Sequence, residues 1–195
     1  YILINSPEVG ATGYVSSGLA GWRVGGVTVW GDLANGMIRY NVGVSDGDFG
    51  PTGSTSNKIG MAGRLVLNLM DPEKGYTCPG CYLGKAKVAN VGAGYFTQNN
   101  NASTQTYTAA TVDAFYDANN MTLEAAYFMY DSDTGAVGSK PKGWYVEGAY
   151  AMGNIQPAVR YESWDADGTA NADYTKILAG VNYLISGHDA KVGVE

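Results

Sequence analysis

The sequence predicts an all-β fold, an antiparallel transmembrane β-barrel, on three observations. Apolar and small-or-polar residues alternate over stretches of about ten, the length of a tilted membrane-crossing strand rather than the five or six residues of a globular one. Short turns alternate along the chain with longer polar loops, as they do where a barrel has one rim on each side of a membrane. The charged residues fall on the face that the apolar residues leave. A dry core accepts such charges only with dedicated partners, whereas a wet lumen accepts them readily.

Taken in order, strands are expected at 1–5, 22–32, 37–46, 58–71, 86–98, 106–117, 121–132, 143–152, 155–165, 174–185 and 190–195, the first and last cut short. The phase is clearest in the second half. Thr108, Ala110, Val112, Ala114 and Tyr116 share one face, opposite Thr111 and Asp113. Leu123, Ala125, Tyr127 and Met129 oppose Thr122, Glu124 and Ala126. Ile155, Pro157, Val159 and Tyr161 oppose Gln156, Arg160 and Glu162, and Ile177, Ala179, Val181, Tyr183 and Ile185 oppose Lys176, Gly180 and Asn182. Helical periodicity is not evident. Short turns are expected at 33–36, 118–120, 153–154 and 186–189, and long loops at 47–57, 99–105, 132–143 and 165–173. The segment 72–85 falls on the short-turn side by parity, yet it is long. Aromatic residues gather near strand ends (Tyr95, Phe96, Tyr107, Tyr116, Tyr127, Tyr130, Trp144, Tyr145, Tyr150, Tyr161, Trp164, Tyr174 and Tyr183), which suits girdles at two lipid–water boundaries.

Composition removes other classes. Lys and Arg number 12 against 18 Asp and Glu, a net charge of -6, so no nucleic-acid partner is expected. Apolar and aromatic residues make up 45%, too many for a disordered chain. No run reaches the roughly 18 apolar residues of a membrane-spanning helix, while mean hydropathy says little about strands that alternate. A secreted Gly- and Tyr-rich β-sandwich or a β-solenoid would account for the turns but not for the long spans with charge on one face. A repeat of fixed period is also missing. The chain opens without Met or a basic segment leading into an apolar one, and it is expected to be a mature or internal segment.

Arg39, Arg64, Asp113, Glu124, Glu147, Arg160, Glu162, Lys176 and Lys191 are the expected pore-lining residues, with Glu195 at the chain's end. Two roles are open to them. Cross-strand pairs such as Glu147–Arg160 and Glu162–Lys176 would stiffen the wall. Alternatively, Arg64, Arg160 and Lys176 would line an anion path. Cys78 and Cys81, in a Cys-Pro-Gly-Cys turn, suit a disulfide in an oxidising compartment. They are too few for a closed zinc site, and Tyr82 stands where haem attachment needs His. Asp46, Asp48, Asp165 and Asp167 could hold Ca²⁺ but also fit ordinary turn chemistry. His188, the only histidine, falls in a short turn with no nucleophile near it in sequence. Neither an enzyme nor a cofactor or metal site is expected.

Several segments in order resemble the phosphate-selective porins of the bacterial outer membrane. They are 27–44 (VTVWGDLANGMIRYNVGV), 63–76 (GRLVLNLMDPEKGY), 91–95 (VGAGY), 143–150 (GWYVEGAY), 159–165 (VRYESWD) and 180–192 (GVNYLISGHDAKV). The resemblance implies a barrel of the outer-membrane porin type with 16 strands, a homotrimer among outer-membrane lipid, passing small polar or anionic solutes by diffusion. Ten or eleven strands are visible, so 1–195 is expected to be a single barrel domain incomplete at both ends. Glu195 stands mid-strand, without the terminal aromatic of such barrels. The family's phosphate-binding residues have no residue-by-residue match here, so phosphate selectivity does not carry over. A barrel serving as scaffold for a partner docked at 72–85 is the other function expected.

Overall fold

The structure, a computed structural model, describes residues 25–45, 59–73, 81–99, 106–132, 140–167 and 173–195. It contains β1 (Gly26–Leu33), β2 (Ile38–Ser45), β3 (Gly60–Asn68), β4 (Val88–Asn99), β5 (Thr106–Ala118), β6 (Met121–Ser132), β7 (Lys142–Tyr150), β8 (Ile155–Asp165), β9 (Tyr174–Ser186) and β10 (Ala190–Val194). All ten form one sheet in chain order. Every neighbouring pair is antiparallel, as hairpins require. Each strand expected from 22 onward is present, its ends shifted by at most a few residues. The one expected at 1–5 lies outside the described residues.

Local chemistry sets the short rim. Asn119 and Asn120 both take positive φ (54° and 63°), the geometry of a two-residue turn whose twist matches the strands it joins, and Asn tolerates it. Gly153 and Gly187 supply positive φ in the β7–β8 and β9–β10 turns. At the β1–β2 turn, Ala34, Asn35 and Gly36 do the same within a short 3-10 turn. The long loops on the other rim fall largely outside the described residues, as do Asp46 and Asp48.

The alternation sorts side chains by face. Val29, Leu65, Val112, Val159 and Ile177 point outward, each more than half exposed. Among the described residues the largest fully buried side chains are Arg160, Gln156, Glu147, Glu162, Thr122 and Asp117, all on the inner face. This inverts a water-soluble core, where such polar groups are seldom fully buried and so wide an apolar face seldom stays open. Among the described residues β1 pairs only with β2 and β10 only with β9, which leaves two open edges.

The aromatics divide differently from two outward girdles. Tyr95, Tyr116, Tyr127, Trp144, Tyr150, Tyr161 and Tyr183 do face outward. Phe96, Tyr107, Tyr130, Tyr145, Trp164 and Tyr174 point inward, around a cluster of Ala126, Tyr130, Tyr145 and Trp164. The cause is parity. Trp144 and Tyr145 are neighbours in sequence, so one must point out and the other in.

The outer face yields a direct test. Val159→Arg, near the middle of β8, is expected to lower folding stability by about 2–4 kcal/mol, and Ser163→Arg, on the same face near the rim, by about 0–1 kcal/mol. Guanidinium titration of the protein in phospholipid vesicles reads both, and equal costs would contradict a lipid-facing surface.

Candidate functional site

The inner face is the candidate site, and it is built in three tiers. Toward the long-loop rim lie the inward aromatics. Around mid-height run Arg64, Asp113, Glu124, Glu147, Arg160 and Glu162. Toward the short-turn rim lie Asn68, Asn90, Asp117, Thr122, Gln156 and Asn182.

At mid-height the geometry depends on glycine. Arg64 on β3 donates two hydrogen bonds to Asp113 on β5, Nη1 to Oδ2 at 2.6 Å and Nη2 to Oδ1 at 2.8 Å. The two strands are not neighbours; β4 lies between them, so the bridge spans two strand spacings, about 9.6 Å. It passes over Gly92. A Cβ there would stand 2.6 Å from Arg64 Nη2 and 2.7 Å from Asp113 Oδ1. The missing side chain is the slot that the fork occupies, and planar two-point pairing holds it there.

Further round the wall, Arg160 on β8 faces Glu147 directly across on β7, with Nη1 3.1 Å from Oε2 and both side chains fully buried. Two opposite charges removed from water hold only while both are present. Glu162 on β8 stands opposite Lys176 on β9, whose ammonium lies 5.0 Å from the ring centre of Tyr174. Glu124 stands opposite Glu147 and accepts a hydrogen bond from the Tyr145 hydroxyl at 2.5 Å. Asn182 donates to the Gln156 side-chain carbonyl at 3.2 Å. Arg39 on β2 pairs with Asp32 on β1 (Nε to Oδ1, 2.9 Å) and donates to the Glu73 carbonyl at 2.8 Å. Lys191 lies on the inner side of β10, opposite Leu184. A cavity of about 380 Å³ opens between Arg39, Arg64, Asn68, Glu73, Asp113 and Glu124.

All nine residues named from the sequence as lining the pore therefore lie on the inner face, though not as one ladder. Arg39, Arg64 and Arg160 are each matched with a carboxylate. Glu147, Arg160 and Glu162 are buried rather than bathed by solvent.

Asp117, Glu73 and Tyr82 join the inner face without having been singled out by the sequence. Asp117 is fully buried. Its carboxylate accepts the backbone N–H groups of Gly84 and Ala86, both at 2.8 Å, and the Thr122 hydroxyl at 2.7 Å. Glu73 and Tyr82 belong to the β3–β4 connection, which has no periodicity to betray a face. For Asp117 a signal existed, since it lies four residues after Asp113 on one strand and so shares its face.

Of the other candidates, Cys81 is disulfide-bonded, and Cys78 lies outside the described residues. Asp165 accepts the N–H of Asp167 at 3.0 Å and pairs with Lys142 at 3.4 Å, while Asp167 accepts the N–H of Lys140 at 2.5 Å. Asp165 thus serves its own turn, as turn chemistry does, while Asp167 ties the start of the β8–β9 loop to the residue before Pro141. His188 sits in the β9–β10 turn. No group of three or more His, Cys, Asp and Glu is placed to hold a metal among the described residues.

The buried pair makes a prediction. Arg160→Met leaves Glu147 buried without its arginine and is expected to lower stability by about 3–5 kcal/mol. Adding Glu147→Gln to it is expected to restore most of that loss. Unfolding titrations of the two single variants and the double variant, run in vesicles, give the coupling directly.

The sequence pattern of the Gram-negative porin family matches residues 80–194, from the end of the β3–β4 connection through β10. No curated protein matches the chain significantly. The matched stretch carries Asp113, Glu124, Glu147, Arg160, Glu162, Lys176 and Lys191, and its apolar outer face suits the outer membrane in which such channels reside. The chain belongs to the Gram-negative porin family.

Proposed function

We propose that this chain forms part of the wall of a water-filled pore through which small polar or ionic solutes diffuse passively, with no chemical step. The observation that carries the reading is the inverted burial. Valine, leucine and isoleucine cover the outside, while arginine, glutamate and aspartate are gathered within. In hydrocarbon an unpaired strand edge is not tolerated, so the open sides of β1 and β10 call for further strands. That requirement supports residues 1–195 as one barrel domain within a larger closed wall. The resemblance to phosphate-selective porins supports 16 strands and a homotrimer.

Weak charge selectivity fits better than a phosphate site. Phosphate recognition uses guanidinium groups that offer their donors to the ligand. Here Arg39, Arg64 and Arg160 lie within 3.1 Å of Asp32, Asp113 and Glu147. A path along Arg64, Arg160 and Lys176 would therefore hold anions poorly.

Reconstitution of the full-length protein into planar bilayers is expected to give stepwise conductance, a small reversal potential in a KCl gradient and no block by inorganic phosphate. Asp113→Asn, which removes the carboxylate paired with Arg64, is expected to raise the chloride-to-potassium permeability ratio by about twofold. Folded protein that never produces steps would favour the scaffold role instead.

A further inference from the structure

We propose that the cavity on the inner face between β2 and β7 is a binding site for a small neutral polyhydroxylated solute of the monosaccharide type, held between Asn68 and Glu124 over the Arg64–Asp113 pair. The inference rests on the pore reading above and deepens it. It names a class of solute that pauses at this wall.

At about 380 Å³ the cavity falls within the roughly 300–1,000 Å³ of small-molecule sites. Register sets its ends. Asn68 faces Asn90, Asn90 faces Phe115 and Phe115 faces Glu124, so the four stand in one row across β3, β4, β5 and β6. Asn68 and Glu124 end that row three strand spacings apart, about 14 Å along the sheet. On its loop side the Arg64–Asp113 fork lies over Gly92 and forms the floor. Phe128 and Tyr145, with ring centres 6.2 Å apart and planes at 22°, line the cavity farther toward the same rim.

Both end residues carry a buried oxygen that no hydrogen bond satisfies, Asn68 Oδ1 and Glu124 Oε2. Their other polar atoms are taken. Asn68 Nδ2 donates to the Gly36 carbonyl at 2.6 Å, and Glu124 Oε1 accepts the Tyr145 hydroxyl at 2.5 Å. A buried acceptor without a donor is costly, and a ligand that brings O–H groups relieves the cost. Between the ends, the side chains of Arg64 and Asp113 are 39% and 22% exposed. Their fork uses two of the five N–H groups of a guanidinium and two of the roughly four acceptor positions of a carboxylate. Donors and acceptors therefore remain side by side on the floor.

That pattern selects among solutes. An anion brings acceptors only and would meet two oxygens that need donors. An ammonium suits Glu124 but stands against the Arg64 guanidinium, from which it cannot accept. A hydroxyl does both, donating to the end oxygens and accepting from Arg64. A ring carrying several hydroxyls also serves both ends of the row, which one small ion does not. Its C–H faces find apolar surface on Phe115 and Phe128, both part of the lining, and small ions make no use of such surface.

Saturation-transfer NMR on the full-length protein in detergent micelles, with D-glucose as the probe, reads binding without requiring a pore; heat-dependent electrophoretic mobility checks folding. The wild type is expected to bind glucose saturably in the millimolar range, weak enough for a passing solute to leave. Neither ethylammonium chloride nor sodium acetate at equal concentration should displace it. Glu124→Gln and Asn68→Ser are each expected to weaken glucose binding about fivefold, the loss of one hydrogen bond, and Ser163→Ala on the outer face to change nothing. Displacement by ethylammonium would make the cavity a cation site and overturn the proposal. Folded wild type without saturable glucose binding overturns it whether or not the variants fold, and so do folded variants that bind as tightly as the wild type. Glucose binding by a protein that gives no conductance steps in planar bilayers supports the site and sinks the pore reading. Steps without glucose binding do the reverse.

Discussion

Hydrocarbon offers a polypeptide backbone no hydrogen-bond partner, and the rest of this structure depends on that. A sheet is acceptable there only if each strand finds its donors and acceptors in its neighbours, which is why ten strands run in unbroken chain order. The same constraint sets strand length, because the pairing has to continue across the apolar layer. β5 and β9 each run 13 residues, well beyond the globular norm. It also dictates the sign of the alternation. Once lipid is the outer solvent, the apolar face turns outward and polar groups have only the interior left to them.

An interior reached in that way is not a conventional core, and glycine makes it workable. Charged side chains on a curved sheet converge, so they need space as well as partners. Gly92 provides it by having no side chain, and the Arg64–Asp113 bridge passes through the gap from β3 to β5. Gly94, opposite Arg64 on β4, leaves similar clearance near Thr111. These are strand positions where glycine forgoes β-propensity and packing, which would be a weakness in an ordinary sheet. Here the omission lets an ion pair tie three strands together.

The strand frame was legible in the sequence because a period of two, sustained over ten residues, has few other causes. The parity that placed Val159 outside also placed Arg160 inside. Legibility ended where that period did. Nearness to strand ends places Tyr145 and Trp164 with the girdle residues, although their own parity assigns them to the interior. Position along a strand says how deep a residue sits, and only phase says which way it points. Between β3 and β4 there is no phase to follow, so the inward turn of Glu73 and Tyr82 depends on tertiary contacts with Arg39 and Phe115. The length of that connection is legible in the sequence, but its direction is not.

The pairing of the inner charges bears on what kind of filter this wall can be. A ladder of unmatched arginines produces a field that reaches a passing ion across the lumen. A guanidinium held against a carboxylate at 2.6–3.1 Å presents a local dipole whose field falls off much faster. Salt in the lumen screens what is left over about 8 Å at physiological ionic strength. Arg39, Arg64 and Arg160 all fall in the second category, on three different strands. Each of these pairs joins two strands and so stiffens the wall. Between β3 and β4 the stretch 81–87 leaves the wall, its backbone held by the buried Asp117 carboxylate.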